Sequence, residues 1–379
     1  MEKNITPDTF LSKDDTKVMK AFAICLMLMH HLWCFPNRLA GEPLINLFTV
    51  FGISAPVFFG FFGKICVSMF FFLGGYGVYK SYFGRKFDLV GKLKGLYFAY
   101  WKVFLIFIPI GFIFFSDQGN YCLDPFICTR FSTFSTRELI SNFLGFTSTY
   151  NREWWFLSSY AFALVTFPFI RGVIDRHTTR MNLFLMLIVS LLMVNVFPGL
   201  AQNQTIGVLA NNRIYLKFFC QIAPYATSFW MGAIVARSGL LDRLHEGLWA
   251  HNLLNPAFDI LVWVAVIFLR QLELGEVFDI FFIPVLTVVT IDLVNRIKLV
   301  RKGCILVGKQ STNMWLTHTF FCYYIGALSA VVTAPRYAIL SLPVLIALTF
   351  VCSYAINYFW KGVGMGYGKV KELICGKVQ

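Results

Sequence analysis

Charge is scarce in this sequence. Only 14% of its 379 residues are Asp, Glu, Lys or Arg, where a soluble domain carries about 25%. Acidic residues are the fewest, at 19. So little charge cannot solvate a chain of this size, which excludes a soluble globular enzyme and a disordered polymer alike. No Cys/His spacing matches a zinc site, and no repeat of roughly 20–50 residues is visible. The ten cysteines are spread along apolar stretches rather than framing a small disulfide scaffold. What fills the space is apolar: 58% hydrophobic and 18% aromatic residues, with 43 Phe, and a mean hydropathy of +0.66. This is the composition of an all-α, polytopic membrane protein.

Apolar runs of about 20 residues mark candidate transmembrane helices. The pattern predicts ten, at 17–36, 63–82, 96–115, 154–173, 181–200, 218–236, 254–270, 277–295, 312–333 and 340–360. Residues 1–16 then form a leader, 17–360 the membrane domain and 361–379 a tail. No soluble domain fits between spans. The first span follows a polar leader without a small-residue cleavage site, so it reads as a retained helix. The longest connection, 116–153, carries a short amphipathic segment near 138–146, and Cys122 and Cys128, for which a disulfide is one reading.

A net charge of +14 would suit nucleic acid if it formed a soluble basic patch. The bases instead fall mostly on one side: Lys13, Lys17 and Lys20, then Arg85, Lys86, Lys92, Lys94, Arg171, Arg176, Arg180, Arg237, Arg243, Arg296, Lys298, Arg301, Lys302 and Lys309, then Lys361. Fewer, among them Arg38, Lys64, Arg152 and Arg270, fall on the other. Such asymmetry is a topology signal. It predicts both termini in the cytoplasm of a multi-pass cell-membrane protein, with the lipid bilayer and not nucleic acid as partner. Nothing in the sequence assigns an oligomeric state.

Ionisable groups inside a membrane are costly and therefore informative. Lys20 and His31 are 11 residues apart on the first span, a rotation of roughly 20° and a rise of about 16 Å, so they share a face. His30 sits beside His31. Neutral imidazole in an apolar setting can act as a general base, or can simply hydrogen-bond a neighbouring helix. His318 lies roughly 10–13 Å along the helix that follows Gly308, Lys309, Gln310 and Ser311. It can therefore meet His31 in one polar cavity. Residues 311–313 read equally well as a helix cap. Span four opens with Arg152, Glu153, Trp154 and Trp155, with Tyr160 following; this is either an interfacial belt with a snorkelling pair or a polar-substrate entrance. Gly74, Gly75 and Gly77 permit close helix approach and lack the strand–helix context of a nucleotide fingerprint.

Four blocks, in order, resemble the integral-membrane acyltransferase-3 family. They are Lys20 with His31, the run at 70–76, Trp155-Phe156-Leu157 with Pro168, and the stretch 308–318. Two positions depart from the pattern: Lys20 stands where Arg is usual, and Gly74 where Ser is usual. The resemblance implies transfer of an acyl group, commonly acetyl, from acyl-CoA to a hydroxyl of a cell-surface or lipid-linked glycan. Acyl-CoA is then a co-substrate, with no bound cofactor or metal. It implies His31 as catalytic base or acyl carrier, with His318, His30 and Ser311 as a second polar site. Lys20, Lys92 and Lys94 would meet the CoA phosphates, and Arg152, Glu153, Trp154, Trp155 and Tyr160 the acceptor. The competing readings are a proton-coupled transporter or flippase using the intramembrane histidines, and a non-catalytic partner of a glycan assembly system.

Overall fold

The computed structural model describes residues 8–41, 43–202, 217–272 and 275–375; the start of the leader and the last four residues of the tail lie outside them. The fold is a bundle of helices. α1 (Lys13–Cys34) opens on a capping box, in which Ser12 Oγ accepts from the Asp15 N–H while the Asp15 carboxylate accepts from the Ser12 N–H. A small antiparallel hairpin, β1 (Thr49–Val50) and β2 (Ile53–Ser54), leads to α2 (Ala55–Gly63) and α3 (Ile65–Ser81), which meet at Lys64. α4 (Leu89–Phe114) follows. The long connection folds into α5 (Pro125–Cys128) and α6 (Thr136–Phe143), the latter close to the expected amphipathic segment. Then come α7 (Trp155–Arg176), α8 (Thr179–Ser190), α9 (Phe197–Gln202), α10 (Ala223–Ser238), α11 (Leu240–Ala250), α12 (Pro256–Leu269) and α13 (Asp279–Asn295). α14 (Lys298–Thr319), a wide-turn stretch Phe320–Tyr324, α15 (Gly326–Thr333) and α16 (Ala338–Cys375) complete the chain.

Among the described residues, seven helical segments are long and apolar enough to cross a membrane, or eight if the bent pair Lys298–Tyr324 and Gly326–Thr333 is one span. Ten spans are expected, and fewer meet that length and apolarity among the described residues. α12 is apolar but has 14 residues, about 21 Å of helix. α10 has 16 residues, nearly all buried, and continues without a break from the wide-turn stretch Phe218–Ile222; residues 203–216 lie outside the described residues. The expected helix at 312–333 is broken by 91° after Tyr324. It also begins much earlier, at Lys298, so Ser311 is interior to a helix rather than capping one. Backbone groups freed by the break are taken by the long connection. Gln118 Nε2 donates to Tyr324 O, Gln118 Oε1 accepts from the Gly326 N–H, and Tyr121 Oη donates to Tyr323 O. Irregular backbone at membrane depth needs such partners.

The outer surface carries exposed Phe98, Leu105, Ile113, Val165, Phe184, Leu261, Ile339 and Val351, a lipid-compatible exterior. Inside, α1 is flanked by α3 on one side and α14 on the other. Helix association in lipid depends on packing and on small residues more than on apolar transfer. At Gly75 and Gly232 a Cβ would collide with the backbone of the facing helix, at Phe229 O and Phe72 O respectively. α3 and α10 therefore touch backbone to backbone, the close approach expected at Gly75; Gly74 instead faces the Tyr160 ring, and Gly77 faces open space.

Candidate functional site

Two cavities enter the bundle from opposite ends of α1. The first, of about 490 Å³, is lined by Lys20 and Thr16 from α1, Gly74 and Gly77 from α3, Lys92 and Gly95 from α4, Phe156 and Tyr160 from α7, and Ser311 and Trp315 from α14. Two ammonium groups in a mostly apolar slot that also carries the Thr16, Ser81, Tyr160, Ser311 and Thr312 hydroxyls suit an anion carried on a long arm. Lys94 is exposed and does not line it.

The second cavity, of about 550 Å³, is lined by His30, His31, Phe35 and Arg38, by Lys64, by Phe126, and by Arg152, Glu153, Trp155 and Tyr225. His31 lines this cavity and packs on His318, which does not line it, with ring centroids 4.9 Å apart. His318 Nδ1 lies 2.6 Å from Trp315 O, which assigns its proton to Nδ1 and leaves a lone pair on Nε2. That nitrogen is buried and has no hydrogen-bond partner among the described residues. Tyr323 Oη donates to His31 O and lies 3.4 Å from His31 Nδ1. With its proton committed to the carbonyl, the phenol can only accept from Nδ1–H. His31 Nε2 is then the basic nitrogen. The wide-turn stretch after α14 makes this possible, because it turns Tyr323 toward His31 and Tyr324 toward Glu153, whose Oε2 is 3.4 Å from Tyr324 Oη.

Arg152 and Glu153 are both at this cavity but do not pair with each other. The Glu153 carboxylate faces Arg38 at 3.4 Å. The Arg152 guanidinium stacks 3.7 Å above the Phe126 ring and lies 3.7 Å from Asp124. Trp155 lines the cavity against Tyr225, with centroids 4.9 Å apart. Three expected contributors sit elsewhere. Trp154 is buried, its indole N–H donating to Leu316 O and its ring packed on Tyr100 and Phe104; it anchors α7 to α14. Tyr160 and Ser311 belong to the Lys20 cavity. His30 borders the His31 cavity, with Nδ1 on Gly60 O at 2.9 Å.

An aromatic layer separates the cavities. Phe156 and Trp315 line the Lys20 cavity, Trp155 and Tyr225 line the His31 cavity, and Phe71 bridges Phe156 and Tyr225. Lys20 and His31, on one face of α1, thus line separate chambers in this conformation.

Sequence reasoning also treated Lys64 and Arg270 as ordinary loop bases. They belong to a charged cluster in a side lobe of about 540 Å³ that shares His30, Phe35 and Lys64 with the His31 cavity. Lys64 Nζ reaches both Glu276 oxygens at 2.8 and 3.0 Å, and Arg270 makes a two-point pair with Asp279 at 2.8 and 3.2 Å. The available signal was Lys64 interrupting the apolar run at 55–81, and Asp279 opening another.

The acyltransferase-3 family, whose description is an acyltransferase domain, matches residues 15–358. No curated protein and no solved structure matches the chain. The family match takes in nearly the whole membrane domain, including both histidines and both cavities, and the chain belongs to that family.

Proposed function

From a membrane acyltransferase of this family, we propose an O-acyltransferase that moves an acyl group, acetyl in our reading, from acyl-CoA to a hydroxyl of a cell-surface or lipid-linked glycan. The observation that carries the reading is the arrangement of two chambers along α1, one basic and slot-like at Lys20, one polar and histidine-floored at His31. The basic residues near Lys20 support a cytoplasmic location for that end and for both termini, which gives cytoplasmic acyl-CoA access to Lys20 and Lys92. The His31 chamber then opens to the outside, where an exported glycan would be met. Arg38, Arg152, Glu153 and Trp155 offer the mix of charged hydrogen-bonding groups and aromatic faces that sugar hydroxyls and ring faces use.

In the reaction, His31 Nε2 takes the proton of the acceptor hydroxyl as its oxygen attacks the thioester carbonyl. A carbon–oxygen bond forms, the carbon–sulfur bond breaks, and the CoA sulfur leaves with the proton returned from His31. His318 Nε2, unpaired beside His31, supplies an acceptor that steadies the transient imidazolium. The pantetheine arm reaches His31 by displacing the aromatic layer.

The test compares glycans from a deletion strain and its parent by mass spectrometry, with His31→Ala restored into the deletion strain. Loss of one acyl mass in both the deletion and the His31→Ala strain, with normal membrane insertion of the variant, is the expected result. Unchanged acylation in the His31→Ala strain would sink the assigned base. Substrate movement into vesicles without any acyl donor would favour a transporter instead.

A further inference from the structure

The segment between Cys122 and Cys128 forms part of the wall of the His31 cavity. It is tied to the site at its start, where Tyr121 Oη donates to Tyr323 O and the Leu123 N–H to Asn37 O. Asp124 caps the Phe126 N–H and faces Arg38 and Arg152 at 3.6 and 3.7 Å. Phe126 carries the Arg152 guanidinium on its ring and lines the cavity. The two cysteines bracket these residues. Their Sγ atoms are 2.9 Å apart, closer than van der Waals contact, with Cys128 buried and Cys122 half-buried. A covalent bond of about 2.05 Å needs a closure of less than about 1 Å.

We propose that Cys122 and Cys128 form a disulfide that holds Asp124 and Phe126 in place as a wall of the acceptor chamber. Its compartment and its effect on acceptor binding rest on the orientation and function proposed above; the bond itself does not. A ring this short gains little loop-closure entropy, so its effect is local order rather than global stability. Burial and the neighbouring Cys128 thiol push the Cys122 thiol up to about 12. Such a thiol reacts slowly by itself, so the oxidant is a disulfide donor of the extracytoplasmic space. Cys122 sulfur attacks the donor disulfide and releases one donor thiol; Cys128 sulfur then attacks the mixed disulfide and releases the second. Two protein thiols become one disulfide, and the donor disulfide takes up both electrons and both protons as two thiols.

The test uses the full chain isolated from its native membrane, alkylated with N-ethylmaleimide before and after reduction, and read by peptide mass spectrometry. A peptide over 122–128 that resists alkylation until reduced is expected; alkylation of both cysteines without reduction overturns the proposal. A membrane-impermeant maleimide applied after reduction, to intact cells and to inverted vesicles, reports the side separately. Labelling only in inverted vesicles would overturn the orientation. Reduction, or the Cys122→Ser variant, should raise the acceptor KM several-fold with donor KM unchanged. An unchanged acceptor KM in a disulfide-bonded protein would overturn the positioning role while leaving the bond.

Discussion

Phe156 and Trp315 pack with ring centroids 4.8 Å apart, and both rings line the Lys20 cavity. The layer they begin lies between the group proposed to bind the donor and the group proposed to activate the acceptor. On that reading, an acyl thioester held below it is protected from water as well as from the acceptor. Phe156→Leu keeps an apolar side chain while removing the ring contact. It should raise acyl-CoA hydrolysis in the absence of acceptor several-fold, measured as thiol release from purified protein. Hydrolysis at the parental rate would mean that this pair is not the barrier.

His31 and His318 should differ in kind when replaced. A positioned general base contributes about 10²–10⁴-fold to rate, so His31→Ala should lose activity on that scale. His318 makes its one bond to a backbone carbonyl and offers a free nitrogen to its neighbour. A hydrogen bond to a charged group contributes about 1.5–3 kcal/mol, so His318→Leu should lower kcat by roughly tenfold to a hundredfold. The distinguishing readout is the pH profile, whose lower limb should move with His318→Leu, because the His31 imidazolium loses its acceptor, and move less with His318→Gln, which keeps an acceptor oxygen. A uniform fall in kcat with an unmoved profile would point to a packing role only.

Lys20 and Lys92 face one cavity, while Lys94, two residues on, is exposed outside it. Lys20→Met should therefore raise the KM for acyl-CoA by roughly tenfold to a hundredfold, the equivalent of about 1.5–3 kcal/mol for a charge-assisted contact. Lys94→Met should leave it unchanged. With an acyl-pantetheine lacking the nucleotide phosphates, the Lys20→Met effect should disappear. If it persists, Lys20 does something other than bind phosphate.

Helix existence and the His31–His318 meeting were legible because both follow from local pattern: apolar runs of spanning length, and polar residues at countable depths along them. Assignments made by adjacency fared worse. Trp154 and Trp155 are neighbours in sequence, yet successive helical residues point about 100° apart, so one faces α14 and the other the cavity. Tyr160 is five residues further, about 7.5 Å deeper, and that carries it past the aromatic layer into the other chamber. Lys64 marks itself by interrupting an apolar run, but its partner Glu276 is 212 residues away, and no local pattern names a partner at that distance.

The two ion pairs of the side lobe allow a structural role to be separated from a binding one. Arg270 and Asp279 have side chains each about 4% exposed, so breaking that pair leaves a buried guanidinium with only the longer 3.8 Å contact to Glu276 and the Phe61 carbonyl. Asp279→Asn should cost roughly 3–5 kcal/mol of stability, seen as a markedly lower unfolding temperature in detergent. Lys64 and Glu276 are 37% and 41% exposed, and a pair that solvated contributes about 0–1 kcal/mol. Glu276→Gln should therefore leave the unfolding temperature nearly unchanged. It does alter the hydrogen-bonding groups offered to anything in the lobe, because one carboxylate oxygen that accepts from Lys64 becomes a donor. If the acceptor glycan extends into this lobe, Glu276→Gln raises the acceptor KM several-fold at unchanged stability and donor KM. A parental acceptor KM in that variant would confine the acceptor to the His31 chamber and leave the Lys64–Glu276 pair as a means of lodging two charges in the membrane.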